Sequence, residues 1–353
     1  MSSAHQHRDQ HRVAYLLGPE RIEVRTEPVP SPHVGEILVR IGAATTCGTD
    51  VKVYRRGGHP RMLRVPGPFG HELAGTVCAV GEGIAHWGIG DEVVVANSAP
   101  CGVCAPCRRG QENLCADLEY LNGAFAEHIL VPRRFVEKNT HRVPRGLELE
   151  LAALTEPLAC VLHGVEASDL RAASDVVVFG AGPIGLLFVA ALAAEGHRVT
   201  IADPNGPRLE VAKALGACQT AAITRGGGQA DAVRVLAQDP GGFDAAVDAT
   251  GVPAVWSDAI ECVRPGGLVN LFGGCAPGTS IPLDTHRVHY SELTLKGVYH
   301  HRPANVARAL EMLAARAFDA RRLLSAERPL EELEAALRSM IRKEALKVVI
   351  RPA

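Results

Sequence analysis

A chain of 353 residues, at roughly 150 per domain, points to about two domains with room for a sizeable core. Hydrophobic residues at 47% and charged residues at 22% exclude disordered and fibrous classes. With 37 Lys+Arg against 39 Asp+Glu the net charge is -2, so no global positive field gathers phosphates and no nucleic-acid partner is expected. Ten cysteines without a secretory start pattern read as thiols in a reducing, cytoplasmic setting. Residues 1–11 are polar and carry His5, His7 and His11, a tract read as a frayed terminus, with metal binding as the alternative.

From 13 to 150 the chain shows short apolar runs punctuated by Gly and Pro, as at 36–41, 75–80 and 91–96, which predict a small-stranded β domain. At Leu151 Ala-rich helical text takes over. It leads into strands predicted at 175–179, 198–203, 245–248, 267–272 and 293–299, each followed by helical text, the pattern of βαβ units on a parallel sheet. Residues 224–229, with three glycines, read as a loop. Helices are expected at 304–317 and 330–342 and a last strand at 346–350, a tail assigned back to the first domain. The run 176–194 holds no charge over 19 residues, near membrane-spanning length, but its Gly-x-Gly-Pro break argues for strand, turn and buried helix, and no membrane partner is expected.

That break is the first chemical signal. Gly180-Ala-Gly182-Pro-Ile184-Gly185 follows a predicted strand and opens a helix, the context in which Gly-x-Gly-x-x-Gly binds a dinucleotide. Gly180 permits the tight turn, Gly182 lets backbone approach a pyrophosphate, and Gly185 allows close helix packing. The helix start offers unpaired N–H groups to the phosphates. Asp203, 18 residues past Gly185, suits the adenosine ribose hydroxyls, and its charge would repel a 2'-phosphate, so NAD is favoured over NADP.

Cys101, Cys104, Cys107 and Cys115 stand as C-x2-C-x2-C-x7-C, a spacing that closes a tetrahedron around a structural zinc with no open position. Cys78, Cys160, Cys218, Cys262 and Cys275 have no partner spacing and read as buried apolar residues. Cys47, His71, Glu72 and Glu156 are scattered. Their residue types suit a catalytic zinc with three protein ligands, but spacing alone does not assemble them, and packing roles for each stay open.

Cys47-Gly-Thr-Asp, Gly70-His71-Glu72, the four-cysteine lobe, Glu156-Pro-Leu and Gly180-Ala-Gly-Pro-Ile-Gly185, in this order, resemble the zinc-dependent medium-chain alcohol dehydrogenases, with the sorbitol and threonine dehydrogenase branch nearest. The resemblance runs from Val13 to the end. It implies an α/β protein: a GroES-like β-rich catalytic domain (1–155 and 301–353) and a Rossmann doubly wound parallel-sheet domain (156–300), with the active site between them. It makes Cys47 and His71 zinc ligands, Glu156 a third, and Glu72 an exchanging or water-mediated neighbour, the choice between the glutamates staying open. It gives two Zn2+ per chain and NAD as cofactors. Thr49 matches the family hydroxyl that receives the substrate proton. Ile184 and Arg208 fall at the dinucleotide, and Leu271, Phe272, Gly273, Val298 and Tyr299 at its nicotinamide end.

One departure is Lys52, where the threonine and sorbitol enzymes commonly carry a proton-relaying histidine. A protonated lysine cannot take up that role unless burial lowers its pKa. A contact with cofactor phosphate or plain solvation are the other roles open to it. The stretch Gly297-Val-Tyr-His300-His301-Arg-Pro resembles aminocyclitol (deoxy-scyllo-inosamine) dehydrogenases. His300 and His301 read as capping and surface residues, or as contacts to a hydroxylated substrate. The expected function is hydride transfer from a secondary alcohol of a polyol, sugar, cyclitol or hydroxy amino acid to NAD, by a cytoplasmic homotetramer or homodimer. The rival readings are a ketone or aldehyde reductase working in reverse and a non-catalytic dinucleotide-sensing protein of the same fold.

Overall fold

The computed structural model describes residues 9–352. The chain divides into two units: the described parts of Met1–Ala159 and Leu323–Ala353 together with Arg302–Arg316, and Cys160–His301 with Ala317–Arg322. The division stands a few residues from the expected 155/156 and 300/301 steps. Helix Thr155–Ser168 continues through the first step, and a 3-10 helix at Ala320–Leu323 lies at the last.

In the first unit a seven-stranded sheet runs in the order Thr140–Arg142, Glu92–Val95, Leu73–Val80, Ile37–Thr45, Lys347–Arg351, Leu324–Pro329, with His128–Val131 also pairing Ile37–Thr45. The tail thus supplies two strands, and Lys347–Arg351 pairs antiparallel with Ile37–Thr45 through Val349 opposite Thr45. A smaller sheet joins Arg21–Pro28, Gln10–Gly18 and Gly67–Pro68. Apolar residues alternate inward along these strands, so Ile37, Val39 and Ile41 share one core with Val77, Phe69, Phe125 and Phe135. His11 belongs to the strand Gln10–Gly18 and is buried, which corrects the frayed-terminus reading at that residue; His5 and His7 lie outside the described residues.

The second unit holds six parallel strands in the order Gln219–Ala222, Arg198–Asp203, Asp175–Phe179, Phe243–Asp248, Val263–Leu271, Thr294–Gly297. Five correspond to the predicted strands. The sixth, Gln219–Ala222, is a short, partly exposed run without an apolar signature, so periodicity passes over it. The uncharged run resolves into strand Asp175–Phe179 and helix Pro183–Ala194, buried from Gly185 to Leu192. No helix among the described residues is long and apolar enough to cross a membrane. Of the five unassigned cysteines only Cys262 is buried; Cys218 is exposed, which corrects its core reading, and the other three are intermediate.

Candidate active site and metal centres

The strand Ile37–Thr45 ends two residues before Cys47, which caps helix Gly48–Arg56. Its sulfur accepts from Thr49 N–H (3.4 Å), while Asp50 Oδ2 accepts from the Cys47 backbone N–H (2.9 Å). This reciprocal capping satisfies two donors that the helix start would leave unpaired and pins the cysteine in place. Asp50 has a second partner: its Oδ1 lies 3.0 Å from His71 Nδ1, with both side chains buried. A carboxylate on Nδ1 fixes the ring orientation and directs Nε2 away from it, as metal-binding histidines require. Burial opposes a charge on His71, but Asp50 and the Cys47 sulfur outweigh it and hold the imidazole well above its usual pKa. Burial and the Glu72 charge push the Cys47 thiol up, against the pull of His71 and Lys347.

Gly70 precedes the histidine at φ +91°, and a Cβ there would sit 2.5 Å from the Phe125 ring, so the turn into His71-Glu72 accepts only glycine. Glu72 is fully buried. Its Oε2 accepts from Thr45 Oγ1 and from Lys347 Nζ, the latter at 2.6 Å, while Oε1 is buried with no partner among the described residues. Cys47 Sγ, a His71 ring nitrogen and a Glu72 carboxylate oxygen lie within 4.8 Å of one another. Sulfur, imidazole and carboxylate are the donor set zinc accepts, and Glu72 keeps one buried acceptor, Oε1, without a partner among the described residues, so the residues fit a metal ion. Glu156, the other expected carboxylate, is buried in the first turn of helix Thr155–Ser168. Thr49 is half-buried and Lys52 is exposed on helix Gly48–Arg56, so the burial a lysine relay would need is missing.

Sequence reading passed over two residues of this site. Asp50 was visible in principle, because an acidic residue three past a helix cap is a capping-box signal. Lys347 was not: it lies 275 positions from Glu72, and only strand pairing brings it there.

The cysteine lobe fits a second metal. The four sulfurs of Cys101, Cys104, Cys107 and Cys115 lie within 4.8 Å of one another, with Cys104 3.4 Å from Cys107 and 3.8 Å from Cys115. Four thiolates at about 2.3 Å from one zinc would stand roughly 3.8 Å apart. Backbone N–H groups of Val103 and Cys104 point at the Cys101 sulfur and that of Ala116 at Cys104. Such bonds favour the thiolate: the Cys104 pKa falls to about 6, whereas burial lifts Cys107 to about 12.

In the second unit Gly180 takes φ +100°, and a Cβ on Gly185 would meet the Gly180 carbonyl at 1.7 Å, so the helix abuts the turn only because both are glycine. Gly182 caps helix Pro183–Ala194 without a side-chain acceptor, and a Cβ there would meet nothing, which leaves backbone N–H groups and open space for a phosphate. Asp203 ends its strand as expected, and its Oδ2 accepts from Ala181 N–H (2.7 Å) while Oδ1 accepts from Asn205 N–H (2.7 Å). The carboxylate therefore also staples the glycine turn. Arg208 lies close enough for the Asp203 charge to act on it, though burial lowers its pKa. The Phe272 ring packs edge-on against Phe188 at 4.9 Å, which turns its side chain into the unit's interior, while Leu271, Gly273, Val298 and Ile184 are half-buried and Tyr299 is exposed. His301 is buried, which corrects its surface reading, while His300 is half-buried and its carbonyl, at φ +62°, lies 2.7 Å from His163 Nδ1.

Comparison with known proteins agrees with this geometry. Residues 33–144 match the alcohol dehydrogenase GroES-like domain family and residues 183–315 the zinc-binding dehydrogenase family. The chain is 31% identical to sorbitol dehydrogenase of Bacillus subtilis over 97% of both proteins. It is 37% identical to D-altritol 5-dehydrogenase of Agrobacterium fabrum over 87% of this chain and 89% of that protein. A Sinorhizobium meliloti structure, described as a zinc-binding dehydrogenase and solved bound to NADP, superposes with a TM-score of 0.89 at 28% identity, covering 97% of this chain and 99% of that one. The chain belongs to the zinc-binding medium-chain alcohol dehydrogenases. It is accordingly an enzyme of alcohol oxidoreduction that uses a nicotinamide dinucleotide.

Proposed function

We propose that this enzyme is a zinc- and NAD-dependent dehydrogenase that oxidises a secondary alcohol of a polyol, sugar, cyclitol or hydroxy amino acid to the ketone. The observation that carries the reading is the buried gathering of Cys47, His71 and Glu72, with one orphaned carboxylate oxygen, in a chain similar to sorbitol and altritol dehydrogenases. Cys47 and His71 hold the catalytic metal, with Glu156 as third ligand and Glu72 as its exchanging neighbour; Cys101, Cys104, Cys107 and Cys115 hold the structural one. When bound, zinc supplies Lewis acidity toward the substrate oxygen and NAD supplies the hydride acceptor.

The chain's own residues do the positioning. Asp50 keeps His71 oriented, and Lys347 balances the Glu72 charge. Thr49 Oγ1 would accept the substrate hydroxyl proton while passing its own proton on to water, so that oxidation to the ketone releases one proton to solvent. The glycine turn with Ile184 seats the pyrophosphate, and Asp203 with Arg208 holds the adenosine end. Leu271, the Phe272 backbone, Gly273, Val298 and Tyr299 line the nicotinamide end. The Asp203 charge favours NAD, although the Sinorhizobium neighbour was solved with NADP. The strand Thr294–Gly297, last in its sheet, offers an edge through which two copies could pair into a dimer or tetramer of a cytoplasmic enzyme.

The test is zinc stoichiometry together with NADH formation over polyols, cyclitols, amino-cyclitols and threonine. Two tightly held zinc ions and turnover on one class support the reading. Cys47→Ser should abolish turnover while one zinc and NAD binding persist; full activity in that variant overturns the mechanism.

A further inference from the structure

Three side chains of metal-binding type stand in a row where the smaller sheet of the first unit meets the start of strand His128–Val131. His11 on Gln10–Gly18 pairs in register with Glu27 on Arg21–Pro28. On its other side the same strand meets the segment 125–128, through Ala14 N–H to Phe125 O (2.8 Å), Glu127 N–H to Arg12 O (2.9 Å) and the antiparallel bridge Val13–Ala126. In that register His128 is the residue opposite His11. Antiparallel partners project to the same face, so the two imidazoles face each other with ring centroids 5.8 Å apart and planes at 67°.

Each ring keeps one orphaned nitrogen, although the His11 ring also meets the His128 backbone. His11 is 5% exposed, and Nδ1 of His11 and Nδ1 of His128 are buried with no hydrogen-bond partner among the described residues. An unpaired buried polar atom costs about 1–3 kcal/mol, so native structures supply a partner from protein, water or an ion. Here the rings border a cavity of 190 Å³ lined also by Glu27, Tyr15 and Asn122. The neighbouring carboxylate Glu127 is already committed to Arg12 through two side-chain bonds and a backbone one. Among the described residues Glu27 makes a single bond, from the Tyr15 hydroxyl at 3.1 Å. Burial lowers the pKa of both imidazoles, which favours the neutral rings that donate a lone pair.

We propose that His11 and His128 bind a divalent transition-metal ion, with Glu27 supplying negative charge beside it and cavity water completing the coordination. The site shares no residue with the four-cysteine lobe or with the Cys47 gathering. Two imidazoles bound to one ion at about 2.0–2.1 Å put their ring centres roughly 5–6 Å apart, which matches the separation present. With two protein ligands and open water positions the site is exchangeable, unlike the cysteine lobe.

The experiment is equilibrium dialysis of the zinc-loaded enzyme against micromolar Ni2+, with zinc and nickel counted together. The expected result is one nickel per chain with no zinc displaced, an affinity at least 10-fold weaker in His128→Gln, and unchanged binding in His5→Gln/His7→Gln. Glu27→Gln, which leaves both rings in place, should weaken nickel by a smaller factor and so reports on the site even where a histidine variant folds poorly. No nickel bound, nickel bound only by displacing zinc, or nickel lost with His5 and His7 but retained in His128→Gln would each overturn the assignment.

Discussion

Lys347 Nζ lies 2.6 Å from Glu72 Oε2, and both side chains are fully buried. Burial alone would lower the lysine pKa; the Glu72 carboxylate beside it is the main influence that outweighs burial and raises it. A buried charge that loses its partner costs far more than the intact pair contributes. Lys347→Met should therefore destabilise the protein by about 3–5 kcal/mol, and Glu72→Gln in the same chain should recover part of that loss. Denaturant unfolding of the single and double variants measures it. A Lys347→Met protein as stable as the parent would show that Glu72 does not depend on Lys347 for its burial.

Asp50 acts on the site through His71, so it is a positioning residue. Asp50→Asn keeps an acceptor for the Cys47 backbone N–H but removes the charge that orients the imidazole. The expected loss is about 10–100-fold in catalytic-metal affinity or turnover, with the cysteine-lobe zinc retained. Competition with a chelator, read as zinc remaining per chain, separates the two metals. Equal loss of both ions would mean that the substitution unfolds the domain instead.

Asp203 holds the glycine turn and is proposed to meet the ribose as well, so its removal should have two signatures. Asp203→Ala frees Ala181 N–H and deletes the charge expected to exclude a 2'-phosphate. The preference for NAD over NADP should fall by at least about 10-fold, the scale of one lost charge-assisted hydrogen bond. Steady-state kcat/KM with each dinucleotide gives the ratio. A fall with both cofactors and an unchanged ratio would leave Asp203 only the stapling role.

The His11–His128 pair gives a pH dependence with a definite sign. Burial is the first cause of the lowered pKa in both rings; Glu27 and Glu127 oppose it at His11, while at His128 the His11 and Arg40 charges reinforce it against Glu127. Below the unfolded value of about 6.5 the unfolded chain binds protons that the folded chain does not, so stability falls with pH from there down to the folded pKa. His59 and His141 are lowered too and contribute the same sign. Calorimetry from pH 7 to 5 without added metal should show Tm dropping more steeply in the parent than in His11→Gln/His128→Gln. Parallel slopes would remove the pair from the linkage.

What could be read along the chain was whatever resides in short spans. The glycine turn, the cysteine lobe and strands such as Asp175–Phe179 and Arg198–Asp203 are encoded within a few dozen residues, where spacing and periodicity carry the physics directly. The Gln219–Ala222 strand was missed for the converse reason: it is held by pairing to Arg198–Asp203, not by its own pattern. Cys47, His71 and Glu72 lay between these cases, named by resemblance but not brought together by any local rule.

The sequence by itself determined the fold class, the lobe and the dinucleotide turn, because those depend on residue type at close separation. Tertiary structure alone decided that Asp50 would reach His71, that Lys347 would arrive from the last strand to balance Glu72, and that His11 would face His128 across two strands. Each of these contacts depends on strand order and register, which set the distance between residues remote in sequence.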